Sequence, residues 1–145
     1  MSVAQEKSIG IIQSRGLGDI IIALPIAQEY IDAGYEVWWA VCDPFYEQMR
    51  RVAPQVKWLS VPVDPSGDFF YENPAKQYAA LGVKEELWLY QYLSSHPDRT
   101  IKSHFAQFKF DQYKYAMAGV AFGQKWELAG CIVRDSAREE SLYKQ

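Results

Sequence analysis

Arg15-Gly-Leu-Gly-Asp19 places a cation, two glycines and a carboxylate in five positions, directly after the apolar run Ser8-Ile-Gly-Ile-Ile-Gln13. Glycines at a strand-to-helix turn let the backbone bend sharply and let a ligand come close. A carboxylate there reads in two ways. As an N-cap, Asp19 would accept bonds from the free amides of the helix start. As part of a ligand crevice, it would accept the proton of a substrate hydroxyl. The Gly16-x-Gly18 pair makes two-thirds of a dinucleotide fingerprint, but Ile21 stands where the third glycine would be. A β-branched residue there disfavours the close helix–strand approach used by NAD or FAD sites.

A second chemically loaded stretch runs from Arg99 to Lys125. It carries Arg99, Lys102, Lys109, Lys114 and Lys125 against the single acid Asp111, interleaved with Phe105, Phe108, Phe110, Tyr113, Tyr115 and Phe122. Cations can hold phosphate, and rings can stack on sugar faces or on unpaired bases. The plainer reading packs Tyr113, Met117 and Val120 on a sheet and leaves the lysines in water. His96 and His104 lie eight apart with no cysteine or paired carboxylate at ligand spacing, so no metal site is expected. Asp64 and Asp68 flank a turn, and turn chemistry accounts for them.

The elements that must position these residues follow from periodicity. The run Ser8–Gln13 lacks alternation, as in a strand covered on both faces. Asp19 to Ala33 predicts one helix, closed by Gly34 and kinked at Pro25. Tyr35–Cys42 reads as a strand, Asp43-Pro44 as the cap and first turn of a helix to about Val52, and Val56–Val61 as a third strand. That order is a βαβαβ unit, half of a doubly wound, mostly parallel Rossmann-like sheet in an α/β domain. Glu72–Leu81, Glu85–Leu93 and Gln107–Ala118 predict helices, and Cys131–Val133 a last short strand. Ser136 and Glu139 form a capping-box pattern at the start of a helix that the final residues interrupt.

Composition narrows the function classes. The chain has 145 residues, 49% hydrophobic and 23% charged, which suits one domain with a full core. A net charge of −3 argues against a nucleic-acid binder held by overall basicity. Cys42 and Cys131 are 89 positions apart and read as reduced core thiols. No apolar run reaches the roughly 20 residues of a membrane helix. Met1–Lys7 lacks the apolar stretch of a signal peptide, so the expected location is the cytoplasm.

Arg15-Gly-Leu-Gly-Asp-Ile-Ile-Ile-Ala-Leu-Pro25 resembles the opening motif of heptosyltransferase-like glycosyltransferases (glycosyltransferase family 9), roughly G-x-G-D, five residues, then P. Phe110-Asp-Gln-Tyr-Lys-Tyr-Ala-Met-Ala-Gly-Val120 through Lys125-Trp126 is similar to the segment closing that family's N-terminal domain. The resemblance implies the acceptor-side half of a GT-B fold, whose C-terminal, donor-binding domain is absent from this chain. It implies inverting transfer of a heptose-like sugar from a nucleotide sugar, without metal or other cofactor, as in lipopolysaccharide biosynthesis. The acceptor would be a glycan or glycolipid, placing the protein at the inner face of the membrane with at most peripheral contact. Carried over by position, the general base falls on Asp19, with Gly16 and Gly18 shaping the loop. Arg15, Leu17, Lys102, Lys109 and Lys114 then stand as substrate contacts. The stretch from Asp64 to Asp98 departs from the family in lacking a clear apolar strand.

A non-catalytic Rossmann-like module binding a small ligand or a partner at the same crevice is the alternative. Trp88, Tyr90 and Tyr92 are candidates for an apolar surface that a second domain or a second copy of the chain would cover, and no specific nucleic-acid partner is expected.

Overall fold

A computed structural model describes residues 3–89 and 110–144. Four strands, β1 (Ser8–Ile12), β2 (Glu36–Cys42), β3 (Lys57–Val61) and β4 (Glu85–Trp88), form one sheet in the order β3-β2-β1-β4. Every pairing is parallel. Helices α1 (Leu17–Ile22), α2 (Leu24–Asp32), α3 (Asp43–Val52), α4 (Glu72–Leu81), α5 (Phe110–Ala118) and α6 (Ser136–Tyr143) accompany it, with a run of 3₁₀ turns over Phe122–Cys131 between the last two. The domain is therefore α/β with a parallel sheet, as expected.

Both faces of the sheet are covered, which is why its strands carry no polar alternation. Ile9, Ile11, Val37, Trp39, Val41 and Leu87 face Ile20, Leu24 and Ile26 of α1–α2, Met49 of α3 and Tyr115 of α5. Ile12, Trp38, Ala40, Cys42 and Trp88 face Tyr78 and Leu81 of α4 on the other side. Gly10 permits that second layer. A Cβ on it would meet the Tyr78 ring at 2.5 to 2.8 Å. The Tyr78 hydroxyl donates to the Ile11 carbonyl at 2.6 Å and accepts from the Ala40 amide at 2.8 Å, tying α4 to β1 and β2. Cys42 and Cys131 are free and buried.

Several expectations are corrected. The helix over 19–33 is two helices. The chain turns at Ala23, so Pro25 falls in the first turn of α2, where a missing N–H costs nothing, rather than at a mid-helix kink. Glu85–Trp88 is a strand, not the start of a helix. Leu87 and Trp88 pack on opposite faces beside β1, and that pairing overrides the helical preference of the two glutamates. This strand occupies the stretch that lacked a recognisable one, and it buries Trp88, so that ring supplies no exposed surface. Cys131–Val133 joins no sheet. Its backbone link is one bond from the Val133 amide to the Val52 carbonyl, at 2.7 Å. Finally, α6 is capped by Asp135, which accepts from the Arg138 amide at 3.0 Å, while Glu139 pairs with Arg134. Helix α3 starts at Asp43, one residue earlier than the capping pattern implied. Tyr90, Tyr92, His96 and His104 lie outside the described residues.

Candidate functional site

The strand order reverses direction between β1 and β4, since the chain winds outward to β2 and β3 and returns to the opposite side of β1 for β4. Crevices at the carboxyl ends of strands flanking such a switch point are where open parallel sheets bind ligands. The Arg15–Asp19 run follows β1 at that edge.

Gly16 makes the turn, with φ 86° and ψ 92°, and occupies the cap position of α1 without a side-chain cap bond. Asp19 is not the N-cap that its sequence position suggested. It sits in the first turn of α1, its Oδ2 2.5 Å from where a Gly16 Cβ would be. Its side chain is 37% exposed. Leu17 is half-buried and packs on the core, whereas Gly18 is exposed with open space where its Cβ would point. Arg15 is exposed, its guanidinium 5.5 Å from the centroid of the buried Phe69 ring.

Lys114 reaches this crevice from α5 across the sheet edge. Its side chain is only 3% exposed. The ammonium donates to Gln13 Oε1 at 2.5 Å and to the Leu89 carbonyl at 2.8 Å, and lies 3.8 Å from Asp19 Oδ1. Gln13 in turn donates to the Arg15 carbonyl at 2.8 Å, so one side chain links the turn to the lysine. Burial pushes the Lys114 ammonium down to about 8, with the charges of Asp19 and Asp111 pulling the other way. The plainer expectation that Lys114 lies in water is corrected. The inward face of α5 is Tyr113, Lys114, Tyr115 and Ala118, not Tyr113, Met117 and Val120 alone, and it carries the lysine inward with it. Lys125 is also engaged, 3.3 Å from Asp111 Oδ2. Lys102 and Lys109 lie outside the described residues.

The two segments of the chain that carry the sequence resemblance thus pack against each other. Besides Lys114 on Asp19, Tyr115 Oη donates to the Ile22 carbonyl at 2.9 Å, and burial raises the Tyr115 hydroxyl well above the ordinary tyrosine range. Gln13 and the Leu89 carbonyl went unnoticed in the sequence. The signal for Gln13 was a polar residue directly after an apolar strand. The signal for Lys114 was a cation between two aromatic residues on a helix face.

Away from this crevice, a cleft of about 300 Å³ lies between α2 and the 3₁₀ run, lined by Glu29, Asp32, Glu127 and Cys131 among others. A wider groove between α3 and α6 carries Arg51, Arg134 and Arg138. Neither includes a residue of the Arg15–Asp19 run. Among the described residues, no helix is long and apolar enough to cross a membrane.

Compared with protein-family models, with curated proteins and with solved structures, the chain has no match in any of the three.

Proposed function

We propose that this chain is the acceptor-side domain of a glycosyltransferase similar to the heptosyltransferases, equivalent to the N-terminal half of a GT-B enzyme. It moves a sugar from a nucleotide sugar to a hydroxyl of a glycan or glycolipid, with inversion at the anomeric carbon. The observation that carries the reading is the placement of Asp19: a half-exposed carboxylate at the carboxyl end of β1, beside the switch point, on the motif that resembles the family's opening.

In this mechanism the acceptor hydroxyl hydrogen-bonds to an Asp19 oxygen and attacks the anomeric carbon from the face opposite the nucleotide. The C–O bond to the acceptor forms as the bond to the nucleotide diphosphate breaks. The hydroxyl proton passes to Asp19, and the nucleotide leaves with the electron pair. A carboxylate is a weak base, so its contribution is position: it takes the proton late, once the hydroxyl has become acidic through bond formation. Gly16 keeps a side chain off that carboxylate.

The test is transfer by the protein as its own gene makes it, assayed with labelled nucleoside-diphosphate sugars and a bacterial core glycolipid. Asp19→Asn is expected to lower turnover by about 100-fold or more with the fold retained. Unchanged turnover would remove Asp19 as the base. Saturable sugar binding with no transfer from any donor would favour a non-catalytic module that uses the same crevice.

A further inference from the structure

A lysine with 3% of its side chain exposed needs compensation for its charge, because a lone buried ammonium is costly. Two neutral oxygens take up two of its N–H groups: Gln13 Oε1, next to the end of β1, and the Leu89 carbonyl, next to the end of β4. Two carboxylates act on it among the described residues. Asp111, a turn earlier on α5, is already engaged by Lys125 at 3.3 Å. Asp19, from α1, is not otherwise paired with a cation in the described structure, and its Oδ1 stands 3.8 Å from the ammonium. The other oxygen, Oδ2, lies against Gly16. The carboxylate is therefore held between the glycine turn on one side and the lysine on the other.

We propose that Lys114 is a positioning residue for Asp19: anchored beneath the crevice by Gln13 and Leu89, its ammonium fixes the carboxylate that receives the acceptor proton. The inference rests on the reading of Asp19 as the base, and it adds a statement about the acceptor. Lys114 and Asp19 offset each other's charge, so the carboxylate itself suits an uncharged hydroxyl group of a sugar, and Lys114 is not the group that holds a phosphate. Lys114 contributes no bond to substrate. It acts through the oxygen that does.

The decisive experiment is carbon-detected NMR on the full chain, with lysine and aspartate side chains labelled, titrated from about pH 6 to about pH 11. Lys114 Cε is expected to titrate with a midpoint near 8, and the Asp19 carboxyl carbon to shift with that same midpoint. In Asp19→Asn the Lys114 midpoint should fall further, since an opposite charge is lost. An Asp19 resonance that stays still while Lys114 titrates overturns the proposal, and so does an unchanged Lys114 midpoint in the variant. If Asp19→Asn does not fold, the wild-type titration decides alone. The outcome is separable from the glycosyltransferase reading. Coupled titration without sugar transfer sinks the base and keeps the pair, whereas transfer that depends on Asp19 without coupled titration keeps the base and sinks the role of Lys114.

Discussion

Replacing Lys114 by Met should change how stability depends on pH in a direction that most alkaline effects oppose. The unfolded chain holds the Lys114 proton up to its ordinary value of 10.5, whereas the folded protein releases it near 8. Between these values the unfolded state binds more protons, so the contribution of this group to stability grows as pH rises and is lost as pH falls through about 8. The full interval corresponds to about 3 kcal/mol. Between about pH 7 and about pH 9.5 the gain is about 2 kcal/mol. Lys114 is almost fully buried, so solvent screening takes little from that figure. Other groups act the opposite way: burial raises the thiols of Cys42 and Cys131 and the hydroxyls of Tyr30, Tyr113 and Tyr115. The wild-type minus Lys114→Met difference cancels them. Urea unfolding at a series of pH values measures it, and the midpoint difference should move in favour of the wild type by about 1 M across that range. A flat difference, or one that moves the other way, would refute the account of Lys114 as a buried, desolvated cation.

Two substitutions test the backbone that holds the site. Gly10→Ala drives a methyl group into the Tyr78 ring, with contacts of 2.5 to 2.8 Å, and should cost about 1–3 kcal/mol in urea unfolding; an unchanged midpoint would mean that α4 does not seat on β1 as described. Gly16→Ala meets both a φ of 86° and the Asp19 oxygen. It should cost about 1–2 kcal/mol and, by displacing Asp19, should also lower the Lys114 midpoint read by NMR.

Much of the fold was legible because it depends on local pattern. The largely apolar runs at Ser8–Ile12 and Glu36–Cys42 lie between two covering layers, and their shortness and β-branched and aromatic residues suit strands packed on both faces. Glu72–Leu81 ends at Gly82 in a left-handed conformation, and its C-terminal bound was readable from that glycine. The turn at Gly16 was readable as well. Glu85–Trp88 was not, because four residues with two glutamates carry no periodicity that separates strand from helix. What makes them a strand is the free edge of β1 next to them.

The site divides in the same way. By itself the sequence determined that a glycine turn follows the first strand and that Asp19 stands just beyond it, since both follow from residues that are neighbours along the chain. Only the tertiary structure decided what Asp19 faces. Lys114 is 95 positions away and reads as a surface cation, and nothing local tells a lysine on a solvated face from one turned inward. That choice was made by the packing of Tyr113, Tyr115 and Ala118 on the sheet, which carries the ammonium to the ends of β1 and β4. A buried charge is tolerable only where acceptors and a counter-charge converge. Gln13, Leu89 and Asp19 converge only once the sheet has closed around β1.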